Sequence, residues 1–179
     1  MLAKDGHETA SHGWLWQPHA EYDAPEDEAA HPDGTAAAIE AATGTKPSGF
    51  FCRGAESPWT RALLVERGYL YTSNGFDDDL HYRCQSGLIV VPCALDANEM
   101  KFFQPNGLVR ADDMVAYITD ALDVLEAEAA RGLPRLLTIG FQLRIVGRPG
   151  RFATFERILA LLDARRGEFA RAFVAACPV

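Results

Sequence analysis

Four apolar residues in a row, Leu88-Ile89-Val90-Val91, limit the folds open to this chain more than any other stretch. A strand without a polar side chain is covered on both faces, as happens in a parallel sheet flanked by helices. Leu136 to Phe141 reads the same way. Helical periodicity fills the intervals. Asp23-Ala24-Pro25-Glu26 combines a cap, an early proline and an acid, and predicts a helix start. That helix is predicted to break or kink around Pro32-Asp33-Gly34, to resume through Ala36, Ile39 and Ala42, and to stop at Gly44. Gly49 to Arg53 and Tyr69 to Ser73 predict short strands. Ser57-Pro58 opens a helix bearing Leu63, Leu64 and Val65 that ends at Gly68. Asp112 is placed as the cap of a long helix with the stripe Met114, Val115, Ile118, Leu122 and Leu125, stopped by Gly132. Phe152, Phe155, Ile158, Leu159 and Leu162 form the apolar face of the next helix.

Strands and helices in alternation make a mostly parallel sheet. Without repeats or a dividing linker, residues 1–179 read as a single α/β domain. A closed parallel barrel takes eight strands and about 250 residues. With 179 residues, the expected architecture is a distorted, incomplete (β/α) barrel.

Charge narrows the partners. The net charge is −8, from 25 acids and 17 bases, and no basic stripe is present, which argues against nucleic acid. No apolar run is long enough for a membrane span. The first residues, Met1-Leu2-Ala3-Lys4-Asp5-Gly6, carry no apolar signal segment, so a cytoplasmic protein is expected. Cys52, Cys84, Cys93 and Cys177 make no CxxC pair and read as reduced, structural thiols. A thiol enzyme built on Cys52 or Cys93 would need a neighbouring histidine to form the thiolate.

Near the start stands GHETASHGW, Gly6 to Trp14. A zinc-binding HExxH places its histidines four apart on one helix face. His7 and His12 are five apart. On a helix that separates them by about 140°, and on a strand it sends them to opposite faces. As a strand, the segment gathers Glu8, Ala10, His12, Trp14 and Trp16 on one face. Trp16 holds the place where a second same-face histidine would stand.

These residues carry a resemblance. GHETASHGW resembles the second motif of the polysaccharide deacetylase superfamily (the NodB-homology domain, carbohydrate esterase family four), GHExxxH, and more closely its allantoinase-like, purine-catabolic branch with SHGW. "SGFFCRGAESPWTRALLVERGYLYTSNGFDDDLHY" is similar to that branch's GWYTGR…SPNTRRLL…GFLYDSD…DDLPYW. "VVPCALDANEMKFF" is similar to VVPYTLDTNDMRF, and "TIGFQLRIVGRPGRFATFERIL" to SIGLHxRxxGRPGR. The resemblance runs over nearly the whole chain, in order. It implies an incomplete barrel of the NodB type, with the first motif and its strands expected to lie before residue 1. Within the matched stretches, Asp-Ser-Asp is Thr72-Ser73-Asn74 here, and the proline of DDLPY is His81. The tyrosine after Pro92 is Cys93, and the histidine of the fifth motif is Gln142.

The resemblance implies a pocket. His12 is expected to position or protonate a substrate amide; its structural alternative is a hydrogen-bonded core histidine. Arg53 matches an arginine of the third motif and is suited to orienting an oxygen through two hydrogen bonds; alternatively it makes a rim salt bridge. Asp78 and Asp79, in the run Asp77-Asp78-Asp79, are implied to face the pocket, where the plain reading is a solvated loop. Trp14 and Trp16 are assigned to substrate binding as walls for a flat heterocycle or sugar, against core packing. Asp96 and Asn98 follow a buried strand, where α/β folds place ligands; local turn caps are the alternative. Gln142 is expected to be a neutral donor where the family acid sits, since an amide cannot transfer a proton at useful pKa. His81 is held as a replacement acid. Arg144, Arg148 and Arg151 form either an anion site or a structural loop.

One imidazole is too few for a catalytic metal, which takes three protein ligands. The expectation is no cofactor and no bound metal beyond a weak divalent ion at His12. The implied activity is metal-independent hydrolysis of a non-peptide carbon–nitrogen bond in a linear or cyclic amide, with carbohydrate metabolism as the setting of the superfamily. The implied partner is a small-molecule amide or amino-sugar substrate, with self-association into a homo-oligomer. The alternative is a non-catalytic truncated paralogue that binds a small ligand or forms an oligomer.

Overall fold

A computed structural model of the chain describes residues 2–133 and 135–166, so Cys177 lies outside the described residues. They form two compact units, one closing at Pro92 and one beginning at Cys93.

The first unit is built on a four-stranded sheet of order β1-β2-β4-β3. β1 (Gly49–Phe50), β2 (Tyr71–Thr72) and β4 (Ile89–Val90) are parallel, with Phe50 opposite Thr72 and Thr72 opposite Val90. β3 (Tyr82–Arg83) is antiparallel to β4. The sequence reading did not anticipate β3, whose two residues carry no alternation to detect. Ser11 extends the sheet beyond β1 through a parallel bridge to Phe50. The strands are shorter than predicted. Gly49 to Arg53 pairs regularly only over Gly49–Phe50, with one further bridge from Arg53 to Pro18.

Helix α1 (Pro25–Thr43) starts with proline in its first turn and stops at Gly44 in the left-handed region, as predicted. The predicted break at Pro32-Asp33-Gly34 does not occur; the helix runs through it. Each of the three residues has a tertiary task. The Pro32 carbonyl accepts from the Tyr69 hydroxyl at 3.1 Å, and Asp33 takes two hydrogen bonds from Arg67. Gly34 leaves room for the Trp14 ring, which would lie 3.2 Å from an added Cβ. Helix α2 (Thr60–Glu66) connects β1 to β2. Ala36, Phe50, Cys52, Leu64, Tyr69 and Leu88 form the core; of the apolar run, Leu88 and Val90 are buried while Ile89 and Val91 are half-buried, so the expected cover on both faces is partial.

In the second unit, α3 (Ala111–Ala129) and α5 (Pro149–Ala164) pack Met114, Ile118 and Leu122 against Ile158. The N-cap of α3 is Arg110, and Asp113 in the first turn accepts from the Val109 and Arg110 N–H groups; Asp112, the expected cap, instead pairs with Arg157. Phe152 and Leu159, predicted as apolar face, are exposed, while Thr154 is buried. The predicted strand Leu136 to Phe141 is reduced to one parallel bridge between Asn98 and Gly140. The short helix α4 (Leu143–Val146) follows it.

Candidate functional site

The parallel strands of the first unit all run the same way, so the chain leaves them at one edge. In α/β folds that edge is where ligands sit. His12 follows the Ser11 bridge, Arg53 follows β1, and Asn74 follows β2.

His12, Trp16 and Arg53 come together there. The imidazole stacks on the Trp16 ring at 5.1 Å between centroids, with planes 5° apart, and tilts against Phe51 at 5.5 Å. The Arg53 guanidinium lies 5.8 Å over the same indole, within cation–π range, and donates to the Trp16 carbonyl at 3.5 Å. The contact is not made by strand alternation. Gly13 is left-handed (φ 83°) and ends the extended segment, after which the chain bends back. Trp14 and Trp16 are 60% and 45% exposed, so the core-packing alternative does not hold for either. Glu8, on the same predicted face, accepts from Ser48 and Tyr71 and ties the opening segment to the sheet.

Next to Arg53 opens a cleft of about 560 Å³ lined by Gly54, Ala55, Glu56, Ser57, Pro58, Arg61, Asn74 and Phe76. None of the site residues expected from sequence lines it. Its wall is held by hydrogen bonds. Asn74 accepts from the Cys52 N–H at 2.7 Å and donates to the Cys52 and Gly54 carbonyls at 2.9 and 3.2 Å. An aspartate, as in the family's Asp-Ser-Asp, has no N–H to give those carbonyls. Glu56 accepts from Thr72 at 2.8 Å and from Arg61 at 2.7 Å.

Under the wall lies a buried polar array. Glu28 of α1 is 1% exposed. Its carboxylate accepts from His19 Nδ1 at 2.9 Å, from Thr60 Oγ1 at 2.5 Å and from Ser57 Oγ. Ser57 Oγ in turn accepts from the Trp59 and Thr60 N–H groups at the start of α2. Sequence reasoning missed His19, Glu28, Ser57 and Thr60 as site-builders. A signal existed: Glu28 shares a buried helix face with Pro32 and Ala36, at steps of four.

The acid run is on the surface. Asp77 accepts from Tyr82, and Asp78 Oδ1 accepts from the Asp79 and Leu80 N–H groups. Asp79 and His81 are exposed. Burial pushes the Cys52 thiol up to about 12, which leaves it protonated.

In the second unit, Asn98 caps a 3-10 turn (Glu99–Phe103) through the Met100 N–H. Asp96 accepts from Tyr117, a bond that holds the phenol above its usual range. Gln142 is buried; its Oε1 accepts from Arg144, and its Nε2 has no hydrogen-bond partner. Arg148 is the N-cap residue of α5, and Arg151 covers the Phe102 ring and donates to the Val109 carbonyl. Among the described residues, no three His, Cys, Asp or Glu side chains gather as metal ligands would. No described helix is long and apolar enough to cross a membrane.

No protein-family model matches the chain. A Schizosaccharomyces pombe protein assigned to the polysaccharide deacetylases is 36% identical over 98 residues, 55% of this chain and 29% of the relative. A crystal structure from Pseudomonas aeruginosa PAO1, also assigned as a polysaccharide deacetylase, matches with a TM-score of 0.83 and 34% identity, over 97% of this chain and 57% of that one. The Puue allantoinase matches with a TM-score of 0.82 and 33% identity over the same shares. The chain thus spans less than two thirds of the length of each. The likeness establishes the fold class: α/β with a partial, mostly parallel sheet, an incomplete barrel of this structural group.

Proposed function

We propose, from the premise that the chain is related in sequence and fold to the polysaccharide deacetylases and to allantoinase, that it forms part of a hydrolase of non-peptide carbon–nitrogen bonds in a small-molecule amide. The observation that carries the reading is the meeting of His12 and Arg53 on the Trp16 ring at the exit edge of the parallel strands, with a cleft opening at Gly54, the residue after Arg53. Hydrolysis of an amide needs a water to attack the carbonyl, a donor for the oxyanion and a proton for the leaving nitrogen. Arg53 is assigned to the oxygen and His12 to proton handling, with Trp14 and Trp16 as a flat apolar surface for a ring. Asp79 takes the carboxylate role in preference to Asp78, whose Oδ1 is engaged by two backbone N–H groups. Within the second unit, Gln142 carries a buried Nε2 donor without a hydrogen-bond partner at the position the resemblance gives to an acid. Asp96 and Asn98 belong to the same unit, where they accept from Tyr117 and from the Met100 N–H.

The test is a hydrolysis screen with allantoin and an N-acetylated chitooligosaccharide, followed by NMR with and without chelator. The expected result is ring opening or acetate release that survives the chelator and falls at least about tenfold in His12→Ala. Absence of turnover on either compound, with binding to one of them, would transfer the reading to a non-catalytic ligand-binding module. Gln142 favours that second reading, because it cannot act as an acid.

A further inference from the structure

The cleft wall and the His12 turn meet on one buried imidazole. His19 is 1% exposed. Its Nδ1 faces the Glu28 carboxylate, and its Nε2 has no hydrogen-bond partner and lies 2.9 Å from where a Gly13 Cβ would be. Gly13, the residue after His12, thus lies so near this ring that a side chain there would collide with it. On the other side, the His19 segment is paired with the wall itself: Pro18 bridges Arg53, and the Ala20 N–H donates to the Ala55 carbonyl at 3.1 Å. Glu28 closes the loop by taking Ser57 and Thr60. Residues 53–57 are thus fastened at both ends to one array, and the turn that carries His12 rests on the same array.

We infer that His19 and Glu28 are positioning residues, which set the cleft wall at 53–57 and the His12 turn relative to each other. Neither belongs to the cleft lining, so they act through Gly13, Ala55 and Ser57. A buried carboxylate with three side-chain donors suits this task, because each donor fixes a direction as well as a distance. The kinetic part of the inference rests on the hydrolase reading; the structural part does not.

The experiment compares the unaltered chain with His19→Asn, His19→Gln and Glu28→Gln. Asparagine keeps a donor near the Nδ1 position, and glutamine moves it toward Nε2. Backbone amide resonances of His12, Gly54, Ala55 and Glu56 are recorded for each, together with kcat and KM on allantoin and the chitooligosaccharide. H19N is expected to stay close to the parent. H19Q and E28Q are expected to shift the resonances of both segments together and to lower kcat by up to about 100-fold, with KM changed less than about twofold. Identical spectra and kcat in H19N and H19Q would overturn the inference. So would unfolding of H19Q where H19N folds, since that assigns the array to global stability alone. Should E28Q fail to fold, the two His19 variants decide. Where neither compound is hydrolysed, the hydrolase reading fails, and coupled shifts in the two segments still support the positioning role while uncoupled shifts reject it.

Discussion

Two acid-bearing regions of the first unit make opposite use of the same chemistry. Asp77, Asp78 and Asp79 stand together in sequence, face solvent, and spend their oxygens on a neighbouring phenol and on their own backbone. Glu28 ends a run of its own, Glu26-Asp27-Glu28 at the start of α1, but unlike its two exposed neighbours it is sealed from water and joins three segments through His19, Ser57 and Thr60. The difference teaches that clustering in sequence is a poor guide to which carboxylate builds a site. Charges in a row repel, and an acid without donors stays in water, as Glu26 and Asp27 do beside Glu28. A buried carboxylate has to find donors, and donors from different segments are what fix a tertiary arrangement.

The largest effect expected from breaking this contrast is at Glu28. Glu28→Ala strands the His19, Ser57 and Thr60 donors in a dry site. It should cost about 3–5 kcal/mol in urea unfolding. Equal losses for Glu28→Ala and Asp79→Ala would erase the distinction between the two regions.

Asn74 comes next. Asn74→Asp removes both N–H donors to the Cys52 and Gly54 carbonyls and sets a carboxylate against them, a loss of about 2–3 kcal/mol at neutral pH. The carbonyls favour the protonated acid, so its folded-state pKa is raised. The sign follows: the variant recovers stability as pH falls, and loses it as pH rises through that raised value. Unfolding curves from pH 4 upward read this directly, and a flat difference from the parent would show that the amide donors do not hold the wall.

These two residues mark how far the sequence carries. Helices α1, α2, α3 and α5 could be read because their apolar spacing and end signals are local: Pro25 at the start of α1 and Gly44 at its end are decided within a few residues. The parallel core could be read from Leu88 to Val91 because nothing polar interrupts it. The break predicted at Pro32-Asp33-Gly34 failed because Tyr69, Arg67 and Trp14, all distant in sequence, compensate each local defect. His12 and Arg53 belong to stretches that the family resemblance singles out, whereas Glu28 and His19 have no motif. Their role is set by donors 9 to 32 residues away, and only their place on a buried face could have hinted at it.

Gly13 sharpens the same comparison at a smaller scale. It has φ 83°, and a Cβ there would lie 2.9 Å from the buried His19 ring. Gly44 has φ 78° with open space around it. Gly13→Ala should cost about 2 kcal/mol, and Gly44→Ala about 1 kcal/mol, because only the first adds a clash to the backbone strain. The measurement is the midpoint of thermal unfolding for the pair; matching shifts would mean that the His19 seat gives way freely.

A second buried carboxylate tests whether Glu28 is special among them. Glu99, in the other unit, is 2% exposed and has backbone donors instead of an array of side chains: the N–H groups of Gln142 and Val146. Burial raises its pKa above the ordinary 4.5, and those N–H groups offset only part of the rise. A raised carboxyl stabilises the fold below its ordinary value, and the contribution is lost as pH climbs through the folded-state value. Glu99→Gln should remove that slope from the stability–pH curve above pH 4.5 while leaving stability at lower pH close to the parent. An unchanged slope would mean that Glu99 ionises as freely as a surface acid.

The smallest effects belong to the acid loop and split between adjacent residues. Asp78 Oδ1 accepts from the Asp79 and Leu80 N–H groups, so Asp78→Ala gives up a local cap, a loss of about 1 kcal/mol. Asp79 is exposed, and Asp79→Ala should stay within about 0.5 kcal/mol of the parent. The pair separates stability from chemistry. If Asp79 serves a substrate, its alanine variant keeps the parent's unfolding midpoint and loses turnover, whereas Asp78→Ala shifts the midpoint and loses turnover only as far as the loop loosens. If both variants turn over allantoin and the chitooligosaccharide as the parent does, the three acids are a solvated turn. The chemistry of the first unit then rests on His12, Arg53 and the wall that Glu28 holds.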